Sequence, residues 1–261
     1  MKLEIERRTN TRRDNGGLRQ VIARNLMQLL CCVVCCCCAA VAQPRQLKKE
    51  TRLGYIPFAN GKLQSDLSED VKLYDREGRI LEERDKRFVP DVRKIIILTK
   101  RNFYGQANRL DSTLVFSDST FAMKLEMLCD SAGTEIGVQE YNSDRKKSFR
   151  SRYVCDSGKQ KTRQEMYSPD GSLFNFKDFK YDKRGNLIDE SGSEQGTPRY
   201  RWVYKYDSRD RLNLREDYDG KSTLVRKHRY IYNVGGQIAR ETIFNGRGEI
   251  ERVMKYVYEY Y

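Results

Sequence analysis

A tyrosine followed by an aspartate recurs along this chain at a nearly fixed interval, and that recurrence limits what the chain can fold into. The clearest copy is Tyr181-Asp182-Lys183-Arg184-Gly185-Asn186-Leu187. Tyr206-Asp207, with Asp210 and Leu212, follows 25 residues later, and Tyr232-Asn233, with Gly236 and Ile238, 26 after that. Going back from Tyr181, Cys155-Asp156 stands 26 residues earlier, Cys129-Asp130 another 26, and Tyr104 another 25. Tyr74-Asp75, with Gly78 and Ile80, is an outlying copy, and Tyr258-Glu259 is the last. A second series lies between these: Tyr141-Asn142, Tyr167 with Pro169-Asp170-Gly171, Tyr218-Asp219-Gly220, and Phe244-Asn245-Gly246, with Gly192 to Gly196 in the slot that would otherwise be missing. Turn residues thus return about every 13 positions in two interleaved sets. Asn, Asp and Gly suit such turns because they tolerate left-handed backbone or bond their own main chain.

Between the turns the residues alternate. Trp202, Tyr204 and Tyr206 fall on one side, Arg201, Val203 and Lys205 on the other. Met254, Tyr256 and Tyr258 alternate in the same way with Val253, Lys255 and Val257. A period of two is the mark of a strand. The expected fold is therefore all-β: an antiparallel β-meander of about 26-residue, two-strand repeats over residues 70–261. Thirteen residues per strand give roughly 14 to 15 strands, more than an open sheet usually holds. The aromatic face has to be covered. The sheet can curl on itself, fold into two layers, or run as a single layer with tyrosine ladders, and a curled meander is the expected arrangement. A transmembrane barrel is disfavoured, because neither face forms a clean lipid-facing band.

On Tyr74-Asp75 with Gly78-Arg79-Ile80 and Tyr181-Asp182 with Gly185-Asn186-Leu187, the chain resembles the YD-repeat (Rhs-type) proteins over residues 70–261. The resemblance implies an exported, β-rich protein. Large members of that family form shells around toxin domains, and some are linked to carbohydrate binding or cell-surface contact. This chain is far shorter, so a shell is not expected.

The start of the chain reads differently. Arg7, Arg8, Arg12, Arg13, Arg19 and Arg24 precede an apolar run from Leu26 to Ala42 that contains six of the eight cysteines and ends in Ala40-Val41-Ala42. That is the three-part pattern of a secretory signal peptide over residues 1–42, with retention as an uncleaved anchor the alternative. Residues 43–69 form a lead-in to the repeats. Without residues 1–42 the chain keeps 43 basic and 34 acidic residues, a net charge of +9. Such a surplus favours anionic partners.

Little in the sequence points to catalysis. The single histidine, His228, lies in Arg226-Lys227-His228-Arg229 and reads as one more polar-face residue. Without a second histidine, triads and His-rich metal sites have no basis, so no metal and no cofactor are expected. The acidic pairs Asp217/Asp219 and Asp189/Glu190 read as ordinary turn residues rather than glycosidase acids. Cys129 and Cys155 occupy equivalent positions in successive units, two strands apart, about 9–10 Å at ordinary strand spacing. That exceeds disulfide reach, so two separate thiols are expected. The candidate ligand-binding residues are the aromatic column Trp202, Tyr204, Tyr206, Tyr230, Tyr232, Tyr256 and Tyr258, since aromatic faces flanked by cations suit sugars. The same column also serves as sheet packing. The expected function is that of an exported, non-enzymatic binding or surface-interaction module, in the periplasm, on the outer membrane surface or outside the cell. Its partner is an acidic polysaccharide or other envelope component, or a protein. No nucleic acid is expected, and membrane contact only through an uncleaved signal segment. The alternative is a chaperone-like envelope protein that encloses an apolar peptide or a lipid.

Overall fold

The computed structural model describes residues 46–58, 62–89 and 94–261. The export segment expected at residues 1–42 lies outside them. Sixteen strands follow in order: β1 Leu47–Pro57, β2 Leu63–Tyr74, β3 Ile80–Val89, β4 Lys94–Tyr104, β5 Leu110–Ser117, β6 Thr120–Cys129, β7 Glu135–Tyr141, β8 Lys147–Cys155, β9 Lys161–Tyr167, β10 Leu173–Tyr181, β11 Leu187–Glu194, β12 Thr197–Tyr206, β13 Leu212–Asp219, β14 Leu224–Tyr232, β15 Ile238–Asn245 and β16 Ile250–Tyr260. A 3-10 turn, Gln106–Asn108, joins β4 to β5. No helix among the described residues is long and apolar enough to cross a membrane.

Each strand pairs antiparallel with its neighbours in sequence, as a meander should. The expectation of an open or merely curled sheet is corrected, however: β1 pairs with both β2 and β16, and the sheet closes into a sixteen-stranded barrel. Segment 43–69, set apart in sequence from the repeats, supplies β1 and the first part of β2. Closure leaves no unpaired edge, and an exposed edge is the chief liability of a long meander.

The two interleaved sets of turn residues occupy the two rims. At the Tyr-Asp rim the aspartate is the first turn residue. Asp182 Oδ1 accepts from the main-chain N–H of Arg184 at 2.8 Å and of Asn186 at 2.9 Å. Asp207 does the same for Arg209 and Arg211, both at 2.9 Å. At the other rim Asp219 holds Lys221 and Thr223 at 2.9 and 2.8 Å. Three residues beyond the aspartate the backbone is left-handed, with φ +81° at Gly78 and +87° at Gly185. This is a type I turn closed by a left-handed bulge residue. The aspartate carries the turn and the glycine relieves it. Gly192 is an exception: the turn expected around it is formed by Gln195 and Gly196, and Gly192 lies inside β11.

The tyrosine has a separate task. Tyr206, at the end of β12, donates its hydroxyl to the Leu187 carbonyl at the start of β11 at 2.8 Å. Tyr232 donates to Leu212 at 2.7 Å, Tyr258 to Ile238 at 2.7 Å, and Tyr181 to Lys161 at 2.9 Å. Each tyrosine therefore ties the end of one strand to the start of its hairpin partner.

Register places one residue set on a single face around the barrel, passing through Tyr256, Arg52, Asp70, Asp85, Lys100, Val115, Leu125, Val138, Tyr153, Gln164, Lys177, Glu190, Trp202, Arg215, His228 and Glu241. Most of the buried residues belong to this face, among them Val115, Leu125, Val138, Tyr153, Met166 and Met254. No other described element covers either side of the sheet, so the buried face is the one that closure turns inward. Cys129 ends β6 and Cys155 ends β8, with β7 between them, and both are free thiols.

Candidate functional site

The densest group of functional side chains lies on the inner wall from β11 round to β2. It is built on residues that alternate with outward ones, and strand pairing brings them side by side. His228 stands directly opposite Arg215 on β13 and Ile243 on β15. It is 4% exposed, so its expected place on a polar outer face is corrected. It lies two residues from Tyr230 and four from Tyr232, on the alternation of the aromatic column, and that parity was the signal in the sequence.

His228 Nδ1 meets Glu241 Oε1 at 2.7 Å, and Nε2 meets Asp217 Oδ2 at 3.1 Å. Arg215 Nε and Nη2 bind the two oxygens of Asp217 at 2.7 and 3.0 Å. Glu241 also accepts from Tyr256 at 3.1 Å and from Tyr230 at 3.4 Å, and its Oε2 lies 3.5 Å from Arg52. Arg52 in turn holds Asp70 through Nε at 2.6 Å. Three cations thus interleave with three carboxylates. Burial opposes the charges of Arg52, Arg215, His228, Asp217 and Glu241, and the pairing outweighs it. Burial works against the imidazolium of His228, yet the bonds to Asp217 and Glu241 raise it above its ordinary value. Burial likewise works against the Glu241 carboxylate, yet His228 and Arg52 lower it to about 2. Asp217 is lowered on the same grounds, against burial, by His228 and Arg215. A histidine whose ring nitrogens are engaged by Glu241, Asp217 and Arg215 has no free nitrogen to act as a base, and the arrangement acts as a rigid polar wall.

The structure divides the aromatic column. Trp202, Tyr204, Tyr230 and Tyr256 stand at mid-height within the ionic chain. Trp202 packs under Arg215, 5.0 Å from the guanidinium to the ring, and against Tyr200 at 4.7 Å. Tyr200 lies over Gly192, directly opposite on β11, where any side chain would collide with the ring. Tyr204 and Tyr200 both donate to Glu190, at 3.3 and 2.8 Å. Tyr206, Tyr232 and Tyr258 form the rim ladder described above. The column is therefore one inner-wall stripe whose hydroxyls bond within the wall.

Of the acidic pairs, Asp219 leads a turn as expected, while the other three residues stand within strands. Asp217 lies within β13, and Asp189 and Glu190 within β11. Asp189 faces outward and binds Arg201 at 2.8 Å, while Glu190 faces inward. Among the described residues no group of three or more His, Cys, Asp or Glu side chains is arranged to hold a metal ion.

The outer face is ionic at mid-strand height. Arg163 pairs with Asp178 at 2.6 Å, Lys205 with Glu216 at 3.0 Å, and Lys227 with the same Glu216 at 3.3 Å.

No family model matches the chain, and no curated protein resembles it in sequence. Among solved structures, a porin-like protein from Bacteroides uniformis is similar in fold, with a TM-score of 0.55 at 9% identity, covering 83% of this chain and 99% of the other. A porin-like protein from Bacteroides vulgatus aligns with a TM-score of 0.36 at 11% identity, covering 82% of this chain and 99% of the other. The Photorhabdus luminescens Tc holotoxin pore aligns with a TM-score of 0.36 at 15% identity, covering 76% of this chain and 10% of the other.

Proposed function

We propose that this chain is a short, exported protein of the YD-repeat type, a non-enzymatic β-barrel of the cell envelope that binds an anionic glycan or envelope polymer through its outward cations. Charge carries this reading. Residues 46–261 hold 42 Lys and Arg against 34 Asp and Glu. The inner wall does not hold the surplus: its ionic chain is balanced, and Lys72 and Lys100 there stand opposite Glu50 and Glu83. The excess therefore lies on the outer face and rims, where Arg76, Arg145, Lys146, Lys159, Lys183, Arg209, Lys221 and Arg247 are exposed on turns. A polymer that follows the wall or rim meets many such cations at once, each contributing little.

The porin-like fold does not carry a membrane-spanning reading here, because the outer wall sets ion pairs where a lipid-facing barrel needs an apolar band about 25 Å tall. The ionic inner wall also argues against an enclosed apolar guest. The test is binding of the chain to an acidic polysaccharide array at low and high salt. Screening shortens the reach of charge from about 10 Å at 0.1 M to about 3 Å at 1 M, so binding by the outward cations should fade across that range. No binding at low salt would overturn the proposal.

A further inference from the structure

On the exposed face of β13–β16 a groove of about 780 Å³ opens to solvent, a volume typical of small-ligand sites. Two of its cations face each other across the ladder. Arg240 on β15 stands directly opposite Lys255 on β16, with Arg229 on the adjoining strand. Like charges set directly opposite across a ladder destabilise it. Elsewhere on this face that cost is avoided by interposed carboxylates, as where Glu216 sits between Lys205 and Lys227. Among the described residues no carboxylate forms an ion pair with Arg229, Arg240 or Lys255. Arg229 rests on the Phe244 ring at 5.6 Å and Lys255 on the Tyr55 ring at 4.6 Å. Beside these cations the groove is apolar: Ile231 is 46% exposed and Leu63 is 41% exposed.

The geometry points to a binding site for a single-chain amphiphilic anion, with its carboxylate or phosphate head between Arg240 and Lys255 and its acyl tail along Ile231, Phe244 and Leu63. The head supplies the negative charge this crossing lacks. The tail covers apolar surface that the fold leaves wet. A sugar fits less well, because the Phe244 ring in the groove and the Tyr55 ring beside it are already covered by cations. This site is distinct from the diffuse surplus that would hold a polymer, and it does not depend on that reading.

The experiment is isothermal titration of the full chain with dodecyl phosphate below its micellar concentration, alongside inorganic phosphate and dodecyl maltoside. Dodecyl phosphate should bind one to one and at least tenfold more tightly than either control. The double substitution R240A/K255A should weaken it at least tenfold while leaving the thermal midpoint unchanged or higher, since it removes a repulsion. Arg240→Glu should abolish binding and raise the midpoint by pairing with Lys255, which separates loss of the site from loss of the fold. Equal affinity for inorganic phosphate or for dodecyl maltoside would overturn the proposal. So would dodecyl phosphate binding that survives both substitutions, or no binding by the unsubstituted chain. None of these outcomes bears on the polysaccharide array, where the rim cations and the remaining outer-wall cations are intact in both variants.

Discussion

His228 shows how much a single buried residue can depend on its register partners. Its ring is desolvated, which disfavours charge, yet both nitrogens meet carboxylates and its titration is raised. A group raised in the fold contributes stability that is complete below its unfolded value of about 6.5 and is lost as pH climbs through the folded value. The denaturant midpoint of the chain should therefore fall as pH rises above about 6.5. His228→Gln should be less stable throughout, by on the order of 3–5 kcal/mol as for a broken buried pair, and should lack that slope. A midpoint that stays level would mean that the folded ring titrates where the unfolded one does, and one that rises would mean that the fold holds the ring neutral. Glu241 works at the other end: lowered to about 2, it contributes stability above its ordinary range that is lost as pH falls toward that value.

At the scale of the element, the turn is the unit that repeats, and its cost varies with one residue. The left-handed position is glycine in the turn after β10, with φ +87° at Gly185, but lysine in the turn after β8, with φ +64° at Lys159. A side chain in that region costs about 1–2 kcal/mol, less the chain entropy that glycine gives up on folding. Lys159→Gly should raise stability by about 1 kcal/mol, and Gly185→Ala should lower it by about the same amount. Urea unfolding of the two variants checks both signs, and equal midpoints would show that the turns are not strained where the φ angles place them. The turns were the most legible part of the sequence, because Asp and Gly act on their own backbone within five residues and need no distant partner. The strands were legible for a related reason: alternation of Trp202, Tyr204 and Tyr206 with Arg201, Val203 and Lys205 survives any choice of neighbour.

For the whole molecule, closure depends on one strand outside the Tyr-Asp period. β1 joins β2 to β16, and Arg52 on it bridges Asp70 and Glu241 across the seam. Removing residues 43–57 should leave the paired edges of β2 and β16 open, strip Glu241 and Asp70 of a cation, and yield a protein that self-associates. Light scattering coupled to size exclusion measures this directly. A truncated chain that stays monomeric and cooperatively folded would show that the repeats form a sheet stable without closure.

The chain by itself determined the local plan: a β-meander, two rims of Asp-led turns, and the side of each strand on which the aromatic residues fall. Those features follow from short-range physics, in which turn chemistry and a period of two are read within a dozen residues. Tertiary structure decided that the sheet closes, which face turns inward, and what surrounds each charge. His228, Asp217 and Glu241 lie on three different strands, and Arg240 meets Lys255 only because β15 and β16 pair in one register. A slip of one residue would send all of these side chains to the other face. The polar wall and the unpaired cations of the groove are therefore properties of register and closure.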